Sequence, residues 1–357
     1  MGADRVNHAR RVSAGRCGFA QTMSSAPTSS IVIVSWNGRQ YLEPCLNAVA
    51  AQQGVDAETI LVDNGSTDGT AAFVGERFPW VRLVALDQNR GFAGGNNAGA
   101  REARGRFIVL LNNDTVPESG WLAALLRGRD AGGPHALASS RIVYMHDPRV
   151  IDSAGDGLLR WGGAFKRHHG ASTESATESR EVFGVCGAAC VIPRTVFEEL
   201  GGFDEDFFVS HEDVDLSYRA RLLGYSCRYV ADSVVRHHGS ATLGRVSEFA
   251  VFHGQRNLEW MYFKNTPGSL LLRTLPGHLI YTAAAAVHFT RHGLLGAFLR
   301  AKWAAFAGLS GLLRKRAQVQ RTRRVGGGAI WPHLEPRWLA TKRREKQFDL
   351  SLAGDKG

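Results

Sequence analysis

Two carboxylates in this sequence lie where a carboxylate could bind a nucleotide or a metal ion. Asp63 follows the apolar run 59–62, and Asp114 comes shortly after the apolar run 107–111. Such a carboxylate can accept hydrogen bonds from a nucleobase or a ribose, and Mg²⁺ and Mn²⁺ bind carboxylate oxygens together with substrate phosphates. We therefore predict that Asp63 contacts a nucleotide, that Asp114 binds a divalent cation and that Asn113 assists it.

The polar residues around these carboxylates also have a structural interpretation. Ser66 and Asp68 are typical of a turn that opens a helix, and we favour that role for both. The sequence Asn-Asn-Asp-Thr at 112–115 makes a good turn as well, so by itself it does not identify a metal site.

A third acidic group, Glu212, Asp213 and Asp215, stands at the predicted start of a helix. One of these carboxylates could act as a general base toward a bound hydroxyl, with its neighbours helping to set its pKa. Helical geometry places Glu212 and Asp215 on one face and Asp213 on another, so the three do not share one task. Compensation of the helix dipole is the alternative interpretation.

Two adjacent histidines, His237 and His238, follow a predicted strand at 227–235. A single buried histidine is usually structural, but a pair beside an acidic site is a better candidate, because neutral imidazole binds Mn²⁺ as well as zinc. We therefore predict that this pair contributes to the metal site at Asp114.

The predicted secondary structure positions these residues along one edge of a sheet. Short apolar runs at 31–34, 59–62 and 107–111 alternate with helical patterns such as 40–52. This alternation predicts a doubly wound, mostly parallel α/β sheet with helices on both faces, in which ligands bind at the carboxyl ends of the strands. The segment 150–182 is rich in glycine and polar residues, and we expect a mobile loop there.

The glycine-rich segment 91–99 needs separate treatment, because it resembles a phosphate-binding loop only superficially. It lacks the GxGxxG spacing and does not follow the first strand, so it does not indicate a dinucleotide site. Close approach of the backbone to a nucleotide sugar and packing of a helix N-terminus are both compatible with it.

The net charge of +10 is concentrated toward the C-terminus. Residues 291–346 carry 14 basic and 2 acidic side chains, whereas residues 31–290 carry 24 basic and 28 acidic ones. A mildly acidic body argues against nucleic acid as a partner, and a local basic segment suits an anionic membrane surface or remains solvated. Charged residues and proline interrupt the apolar stretches of 266–313, so we predict amphipathic helices that lie on a membrane rather than cross it.

Composition divides the chain into four predicted parts: a disordered leader at 1–28, a catalytic domain at 29–264, a basic membrane-associating helical segment at 265–325 and a tail at 326–357. The leader lacks the apolar core of a secretory signal, and Met23 is an alternative start. Five cysteines without a CxxC pair fit a reducing compartment. We expect a cytoplasmic protein, peripheral on the inner face of the cell membrane.

A series of motifs resembles the family 2 glycosyltransferases, which have the GT-A fold. The resemblance runs from about residue 31 to about residue 264. Within the family, the chain is most similar to the rhamnosyltransferase-like enzymes of bacterial cell-wall and polysaccharide assembly. The motifs are, in order, 34–37, 62–70, 89–99, 111–115, 184–189, 201–205, 212–216 and 237–240. Each motif is common alone, whereas their order along one chain is specific.

The resemblance implies an activity and a role for the matching residues. The activity is an inverting transfer of a sugar, rhamnose in that subgroup, from a nucleoside-diphosphate sugar to a hydroxyl of a glycan or lipid-linked acceptor, with Mg²⁺ or Mn²⁺ as cofactor. Asp213 would be the catalytic base, with Glu212 beside it. Donor contacts would come from Asn37, Asp63, Arg90, Asn97 and Asn113, and metal ligands from Asp114, His237 and His238.

One departure from the family pattern affects the expected metal site. Many relatives carry two aspartates where this chain has Asn112-Asn113-Asp114. With a single carboxylate, we expect metal binding to be weak without bound donor and to depend more on histidine.

Two other functions are compatible with parts of the sequence. A nucleotidyltransferase or pyrophosphorylase also joins an α/β sheet to a metal-bound diphosphate, but the segment 36–39 is a poor version of its phosphate loop. A non-catalytic protein could bind a membrane surface through the basic segment, but this function would leave Asp63, Asp114 and 212–215 unexplained.

Overall fold

The computed structural model describes residues 26–239 and 247–345. The predictions about the leader before residue 26, about Met23 and about the last part of the tail concern positions outside the described residues.

Four parallel strands form one half of the main sheet: β1 (Ser29–Ser35), β2 (Ala57–Asp63), β3 (Arg82–Ala85) and β4 (Phe107–Asn112). β1 lies between β2 and β4, and β3 pairs with the other side of β2. Their apolar side chains are buried on both faces of the sheet, because helices cover both faces.

Three helices connect these strands: α1 (Arg39–Ala50), α2 (Thr70–Arg77) and α3 (Gly91–Glu102). α3 occupies the glycine-rich segment and packs tightly on the sheet. A Cβ atom added at Gly99 would lie 2.3 Å from Val32, and one at Gly95 would lie 2.6 Å from Val34. Glycine is therefore required where α3 crosses β1, which supports the helix-packing interpretation of 91–99.

The other half of the sheet contains both strand directions. Its strands are β5 (Thr115–Pro117), β6 (Leu137–Tyr144), β7 (Ile151–Ser153), β10 (Arg180–Val182), β11 (Ala189–Pro193) and β12 (Cys227–His237). β11 runs antiparallel between β4 and β6, and β12 runs parallel to β6. The helices α4 (Trp121–Asp130), α5 (Arg194–Glu199) and α6 (Glu212–Leu222) accompany these strands. The predicted doubly wound α/β fold of the GT-A type is confirmed.

The segment 150–182, predicted to be a mobile loop, is largely ordered secondary structure. It contains β7, β8 (Asp156–Leu159), β9 (Ala164–Lys166) and β10, and β8 pairs with β9 and with β13 (Leu334–Glu335) in a second sheet. The prediction was wrong because these strands have only three or four residues, and glycines such as Gly155, with φ of +84°, form the turns between them. Because β13 belongs to the predicted tail, part of that tail is integrated into the fold.

The C-terminal region is helical: α7 (Glu248–Asn265), α8 (Gly268–Arg291), α9 (Leu295–Ala307), α10 (Leu309–Thr322) and α11 (Gly327–Ile330). α8 is one continuous helix of 24 residues, and by length and composition it could cross a membrane. Pro276 and His278 do not interrupt the helical segment as expected but lie inside the helix. That this segment lies on a membrane rather than crosses it stays a prediction. The buried His278 ring stacks on Tyr262 of α7 at 3.9 Å, so this polar residue fastens α8 to α7.

Candidate active site

The first two strands bring Asn37 and Asp63 together at their carboxyl ends. Asn37 Oδ1 accepts a hydrogen bond from the Thr67 N–H at 2.8 Å, and the Asn37 N–H donates to Ser66 Oγ at 3.0 Å. Asp63 is buried, and its Oδ1 accepts from the Ser66 N–H at 3.0 Å. The two predicted donor residues therefore lie in two loops that are hydrogen-bonded to each other. Their contact with a nucleotide stays a prediction.

The residues after Asp63 have the structural role that we favoured for them. Asp68 accepts hydrogen bonds from the N–H groups of Thr70 at 3.1 Å and Arg39 at 3.0 Å. It thereby joins the start of α2 to the start of α1, while Ser66 holds the loop at Asn37.

Asn113 and Arg90 flank the same pair of loops. Asn113 Nδ2 donates to Ser35 Oγ at 3.0 Å, next to the end of β1. The N–H of Arg90 donates to Asn64 Oδ1 at 2.9 Å, and the Arg90 side chain is exposed. Both side chains are therefore placed at the carboxyl edge, where a donor could reach them.

Asn97 has a different environment from the other predicted donor residues. It is buried in α3, its Nδ2 donates to Phe203 O and Glu205 Oε1 at 2.9 Å each, and its Oδ1 accepts from the Phe203 N–H at 2.9 Å. These bonds use both ends of the amide. The structure therefore gives Asn97 a role in positioning the loop at 203–205, and its predicted donor contact has no support in this geometry.

Asp114 and His237 form the centre of the predicted metal site. His237 Nε2 lies 3.3 Å from Asp114 Oδ1, and both side chains are buried. On the other side of the ring, Nδ1 lies 2.7 Å from Asp152 Oδ2. A hydrogen bond from Nδ1 to a carboxylate leaves the Nε2 lone pair for a cation, which is how histidine ligands are usually held. An oxygen and a nitrogen ligand thus converge at one point, and this pair fits a divalent cation.

Asp152, which is bonded to His237, has further charged neighbours. Asp152 is buried and accepts from Lys166 Nζ at 2.7 Å. Burial favours its neutral form, but Lys166, His169 and His237 outweigh burial and hold the pKa of Asp152 well below its usual range. Burial also opposes a charge on His237, but hydrogen bonds to Asp114 and Asp152 raise the pKa of His237 to about 9. A proton on His237 thus offsets the carboxylates when no cation is bound.

The two neighbouring histidines have different environments. His237 is the last residue of β12 and is buried, whereas His238 follows the end of the strand. The His238 ring is exposed and lies 5.0 Å from the Tyr41 ring, and its N–H donates to Asp114 O at 3.1 Å. The structure therefore brings His237 to Asp114 and Asp152 and gives the predicted ligand role of His238 no support.

The predicted base, Asp213, stands at the start of α6. Its Oδ2 accepts a hydrogen bond from the Gly187 N–H at 3.0 Å. Ala188 O, the next residue along, accepts from the Asn112 N–H at 2.9 Å. This loop therefore connects Asp213 to the end of the strand that leads to Asp114.

The three acidic residues of α6 have distinct environments, as helical geometry predicted. Asp215 is fully buried and bonded to Arg219 Nε at 2.9 Å, to Asn265 Nδ2 at 2.7 Å and to Lys264 Nζ at 2.7 Å. It is therefore a structural residue that joins α6 to α7. Glu212 is buried, and burial together with the nearby Asp213 raises the pKa of Glu212 well above its usual range.

Sequence analysis missed Asp152 and Asp156, because both lie in the segment interpreted as a loop. The signal available was two carboxylates four residues apart in a glycine-rich segment that also contains Lys166. Asp156 is buried on β8, and its carboxylate, the Asp213 carboxylate and the Cys186 sulfur lie within 4.8 Å of one another. Burial raises the pKa of the Cys186 thiol well above its usual range, so without a bound cation the thiol is protonated.

The segment that leads into α6 has a strained backbone and accepts hydrogen bonds from a side chain of α7. Three of its residues have positive φ: Phe208 at 62°, Ser210 at 73° and His211 at 69°. Asn257 of α7 is fully buried, and its Nδ2 donates at 2.8 Å to the carbonyl oxygens of Phe207, Val209 and Ser210. A C-terminal helix therefore holds the loop that presents Glu212 and Asp213.

Residues 30–201 match the family Glycosyl transferase family 2, a range that includes every predicted donor residue and Asp114. An N-acetylglucosaminyl-diphospho-decaprenol L-rhamnosyltransferase of Mycobacterium tuberculosis (strain CDC 1551 / Oshkosh) is 30% identical over 250 residues, which are 62% of this chain and 80% of the relative. The succinoglycan biosynthesis protein ExoO of Rhizobium meliloti (strain 1021) is 34% identical over 130 residues, which are 36% of this chain and 37% of the relative.

Two solved structures share the fold. GalNAc-T7 with UDP, GalNAc and Mn²⁺ aligns with a TM-score of 0.55 at 18% identity, over 68% of this chain and 48% of that one. The mannosyltransferase PcManGT from Pyrobaculum calidifontis, in complex with GDP-Man and Mn²⁺, aligns with a TM-score of 0.50 at 21% identity, over 83% of this chain and 81% of that one. This chain thus spans about half of the first structure and most of the second.

Proposed function

The chain belongs to glycosyl transferase family 2, and we propose that it is an inverting, metal-dependent enzyme of cell-wall or polysaccharide assembly. Its donor is a nucleoside-diphosphate sugar, and its acceptor is a hydroxyl of a glycan or a lipid-linked sugar. The Mycobacterium tuberculosis relative is named as an L-rhamnosyltransferase of a diphospho-decaprenol substrate, so rhamnose is the first donor sugar to test.

The observation that carries this proposal is the convergence of Asp114 and His237 at the carboxyl edge of the sheet. Their ligand atoms lie 3.3 Å apart, and Asn113, the residue before Asp114, is hydrogen-bonded to Ser35 at the end of β1. A cation held there would lie beside the loops of Asn37 and Asp63. This is the edge at which doubly wound sheets bind their ligands.

The proposed cofactor is Mg²⁺ or Mn²⁺, held by Asp114 and His237. The two solved structures described above contain Mn²⁺ with a nucleotide or a nucleotide sugar. When bound, the cation supplies positive charge that stabilises a diphosphate leaving group. Because this chain offers one carboxylate and one imidazole, the donor phosphates would have to complete the coordination.

The proposed transfer is a single displacement in which Asp213 acts on the acceptor. The acceptor oxygen forms a bond to C1 of the sugar, the bond from C1 to the diphosphate oxygen breaks, and the acceptor proton passes to the Asp213 carboxylate. The nucleoside diphosphate leaves with the bonding electrons, and attack from the opposite face inverts C1. Asn37, Asp63 and Asn113 hold the nucleotide during this step.

Hydrolysis of purified nucleotide sugars, with water as acceptor, tests this function without knowledge of the natural acceptor. The panel contains dTDP-rhamnose, UDP- and GDP-sugars, each with Mn²⁺, with Mg²⁺ or with a chelator. We expect metal-dependent release of one nucleoside diphosphate and loss of that release in Asp114→Ala. Asp56→Asn is the matched control, because Asp56 is exposed just before the opposite end of β2.

Two outcomes would contradict the proposal. The first is hydrolysis of no donor together with no thermal stabilisation by nucleoside diphosphates and Mn²⁺. The second is full metal-dependent activity in Asp114→Ala, which would move the cation elsewhere.

Membrane association is the second part of the proposal. The C-terminal helices expose large apolar side chains: Leu272, Leu279, Ile280, Val287, Leu299, Trp303, Phe306 and Leu313. Basic residues of the same region make no ion pair among the described residues: Arg291, Arg314, Arg321, Arg343 and Arg344. Apolar and basic groups together suit an anionic membrane surface, which is where a lipid-linked acceptor would be found.

A further inference from the structure

Asp156 has an unusual position beside the proposed base. It lies on β8 of the small second sheet, is 5% exposed, and its carboxyl group is within 4.8 Å of the Asp213 carboxyl group. The two carboxyl groups come from different parts of the chain, β8 and the start of α6. The proposed transfer reaction uses only Asp213, so the second buried acid has no role in it so far.

The hydrogen bonds to Asp213 and its position at the start of α6 would, without other influences, make it a weak base. Its Oδ2 accepts from the Gly187 N–H at 3.0 Å, its Oδ1 accepts from the Val214 N–H at 2.8 Å, and it stands at the positive end of α6. Each of these interactions stabilises the carboxylate and lowers its affinity for a proton. A base that must take a proton from a hydroxyl works best with a pKa near the working pH.

Resting on the proposed function, we propose that Asp156 is a positioning residue that shares a last, tightly held proton with Asp213, so that the fully ionised pair is a stronger base toward the acceptor than Asp213 alone would be. Two carboxylates at this distance repel each other, so the last proton of the pair leaves at a higher pH than the proton of an ordinary aspartate, and the ionised pair takes a proton back more readily. The negative charge of ionised Asp156 thus opposes the stabilisation that the Gly187 and Val214 N–H groups give to the Asp213 carboxylate.

The electrostatics around the pair agree with a shared proton. Burial, followed by repulsion from Asp213, raises the pKa of Asp156 well above its usual range. Burial also raises the pKa of Asp213, although the backbone N–H groups oppose it.

Other charged and titratable groups face the pair from each packed element. They are Lys166 of β9, Asp152 of β7, Glu212 of α6 and the Cys186 thiol. Lys166 is the cation in this set and is bonded to Asp152 at 2.7 Å, so it offsets the negative charge of Asp152.

The first test measures the shared proton directly and needs no substrate. Aspartate-selective ¹³C labelling allows each carboxyl group of the full chain to be titrated by NMR, with Asp156→Asn and Asp213→Asn providing the assignments. We expect one carboxyl of the wild-type pair to titrate at least about one pH unit above ordinary aspartates. In Asp156→Asn, the Asp213 titration should move down by about the same amount, because an amide can donate to Asp213 but carries no charge.

The second test is the pH profile of donor hydrolysis, a readout that a merely structural role of Asp156 would not move. Asp156→Asn should shift the acidic limb of kcat/KM to lower pH by about one unit and lower the plateau, because a weaker base transfers a proton less readily. Cys186→Ala is the matched neutral control in the same cluster, and its acidic limb should stay in place whatever its rate.

The outcomes separate this inference from the proposed function. Independent, ordinary titrations of Asp156 and Asp213 in the wild-type protein would overturn the shared proton, even if hydrolysis is found. A shared proton in a protein that hydrolyses no donor would support the pairing and contradict the glycosyl transfer. An unmoved acidic limb in Asp156→Asn would overturn the role of Asp156 in setting the base.

Discussion

At the scale of single residues, two aspartates of the same helix have different roles because their hydrogen-bond partners differ. Asp215 has three polar partners that use both of its oxygens, and two of them, Arg219 and Lys264, are cations. Asp213 accepts hydrogen bonds from two backbone N–H groups, has no cation bonded to it among the described residues and remains partly exposed. A carboxylate neutralised by buried cations is unavailable as a base, so the geometry favours Asp213 for proton transfer.

The first prediction compares the same substitution at these two positions. Asp213→Asn should reduce turnover roughly 10²–10⁴-fold and leave donor affinity nearly unchanged, because asparagine still accepts from Gly187 but cannot take a proton. Steady-state kinetics and calorimetry with the nucleoside diphosphate and Mn²⁺ measure the two effects.

Its controls are Asp215→Asn and Glu212→Gln. Asp215→Asn breaks a buried ion pair and should cost about 3–5 kcal/mol of unfolding free energy, a loss that Asp213→Asn should not show. Turnover of more than about a tenth of wild type in Asp213→Asn would place the base elsewhere, and a large loss in Glu212→Gln would then identify Glu212.

The second prediction concerns Asp152, which does not contact the proposed cation. Asp152→Asn should weaken Mn²⁺ binding by roughly 10–100-fold, because His237 would lose the carboxylate that orients its ring and fixes its tautomer. Titration of Mn²⁺ by calorimetry, with nucleoside diphosphate present, measures the change. Asp147→Asn is the control, since Asp147 pairs only with the exposed Arg149 nearby. Equal Mn²⁺ affinity in wild type and Asp152→Asn would exclude this role.

At the scale of elements, the long buried strands could be predicted from their apolar runs, whereas the short strands of the segment 150–182 could not. Strands with four to six buried residues gave clear apolar runs, so the carboxyl edge with Asp63 and Asp114 followed from the pattern. The strands β7 to β10 are too short for such a pattern, and they carry Asp152 and Asp156. The missed half of the site therefore depends on pairing between segments distant in sequence, which local periodicity does not encode.

The helices α3 and α8 both contain residues that usually disfavour a helix, and they tolerate them for different reasons. In α3, glycine is usually a helix breaker, but close packing on β1 requires it and offsets its cost. In α8, Pro276 and the histidines suggested an interruption, but the helix continues because packing against α7 stabilises it.

The third prediction tests whether α7 holds the strained segment before α6. Asn257→Ala removes the donor for three carbonyl groups, and the unfolding free energy should fall by about 1–3 kcal/mol for the buried groups left unpaired. Hydrogen exchange at 207–211 should become faster, and turnover should fall more than donor affinity. Gln255→Ala, on the same helix, is the control. Unchanged exchange at 207–211 would show that the loop holds its conformation without Asn257.

At the scale of the whole molecule, the C-terminal helices have a structural role besides the proposed contact with a membrane. Several basic side chains of this region form ion pairs within the protein. Lys302 of α9 pairs with Glu259 of α7, Lys315 pairs with Asp204 and Asp206, and Arg324, just after α10, pairs with Glu199. Asp204 and Asp206 precede the strained segment that leads to Asp213. The excess of positive charge in 291–346 is therefore partly structural, and only the remainder is available to a membrane.

Because part of the positive charge is used in ion pairs within the protein, the proposed membrane contact depends on exposed apolar side chains as well as on the remaining basic ones. Trp303 is 70% exposed and Phe306 is 65% exposed on α9, and neither is needed for the ion pairs that fasten the helices. Burial of a large apolar side chain contributes roughly 1.5–3 kcal/mol, and each basic residue near an anionic surface about 1 kcal/mol, which salt screens. Both kinds of contribution should therefore be measurable separately on the same protein.

The fourth prediction separates them by flotation with vesicles. The wild-type chain should bind vesicles containing phosphatidylglycerol and lose binding as salt rises or as the anionic lipid is omitted. The double variant Trp303→Ser, Phe306→Ser should bind at least about tenfold more weakly at every salt concentration, since two apolar contributions are lost. Trp80→Ser is the control, because Trp80 is an exposed aromatic residue beside β3, on the catalytic domain. Equal binding of the wild type and the double variant would exclude Trp303 and Phe306 from the membrane contact. Binding that does not depend on lipid charge would leave the basic segment with its structural role alone.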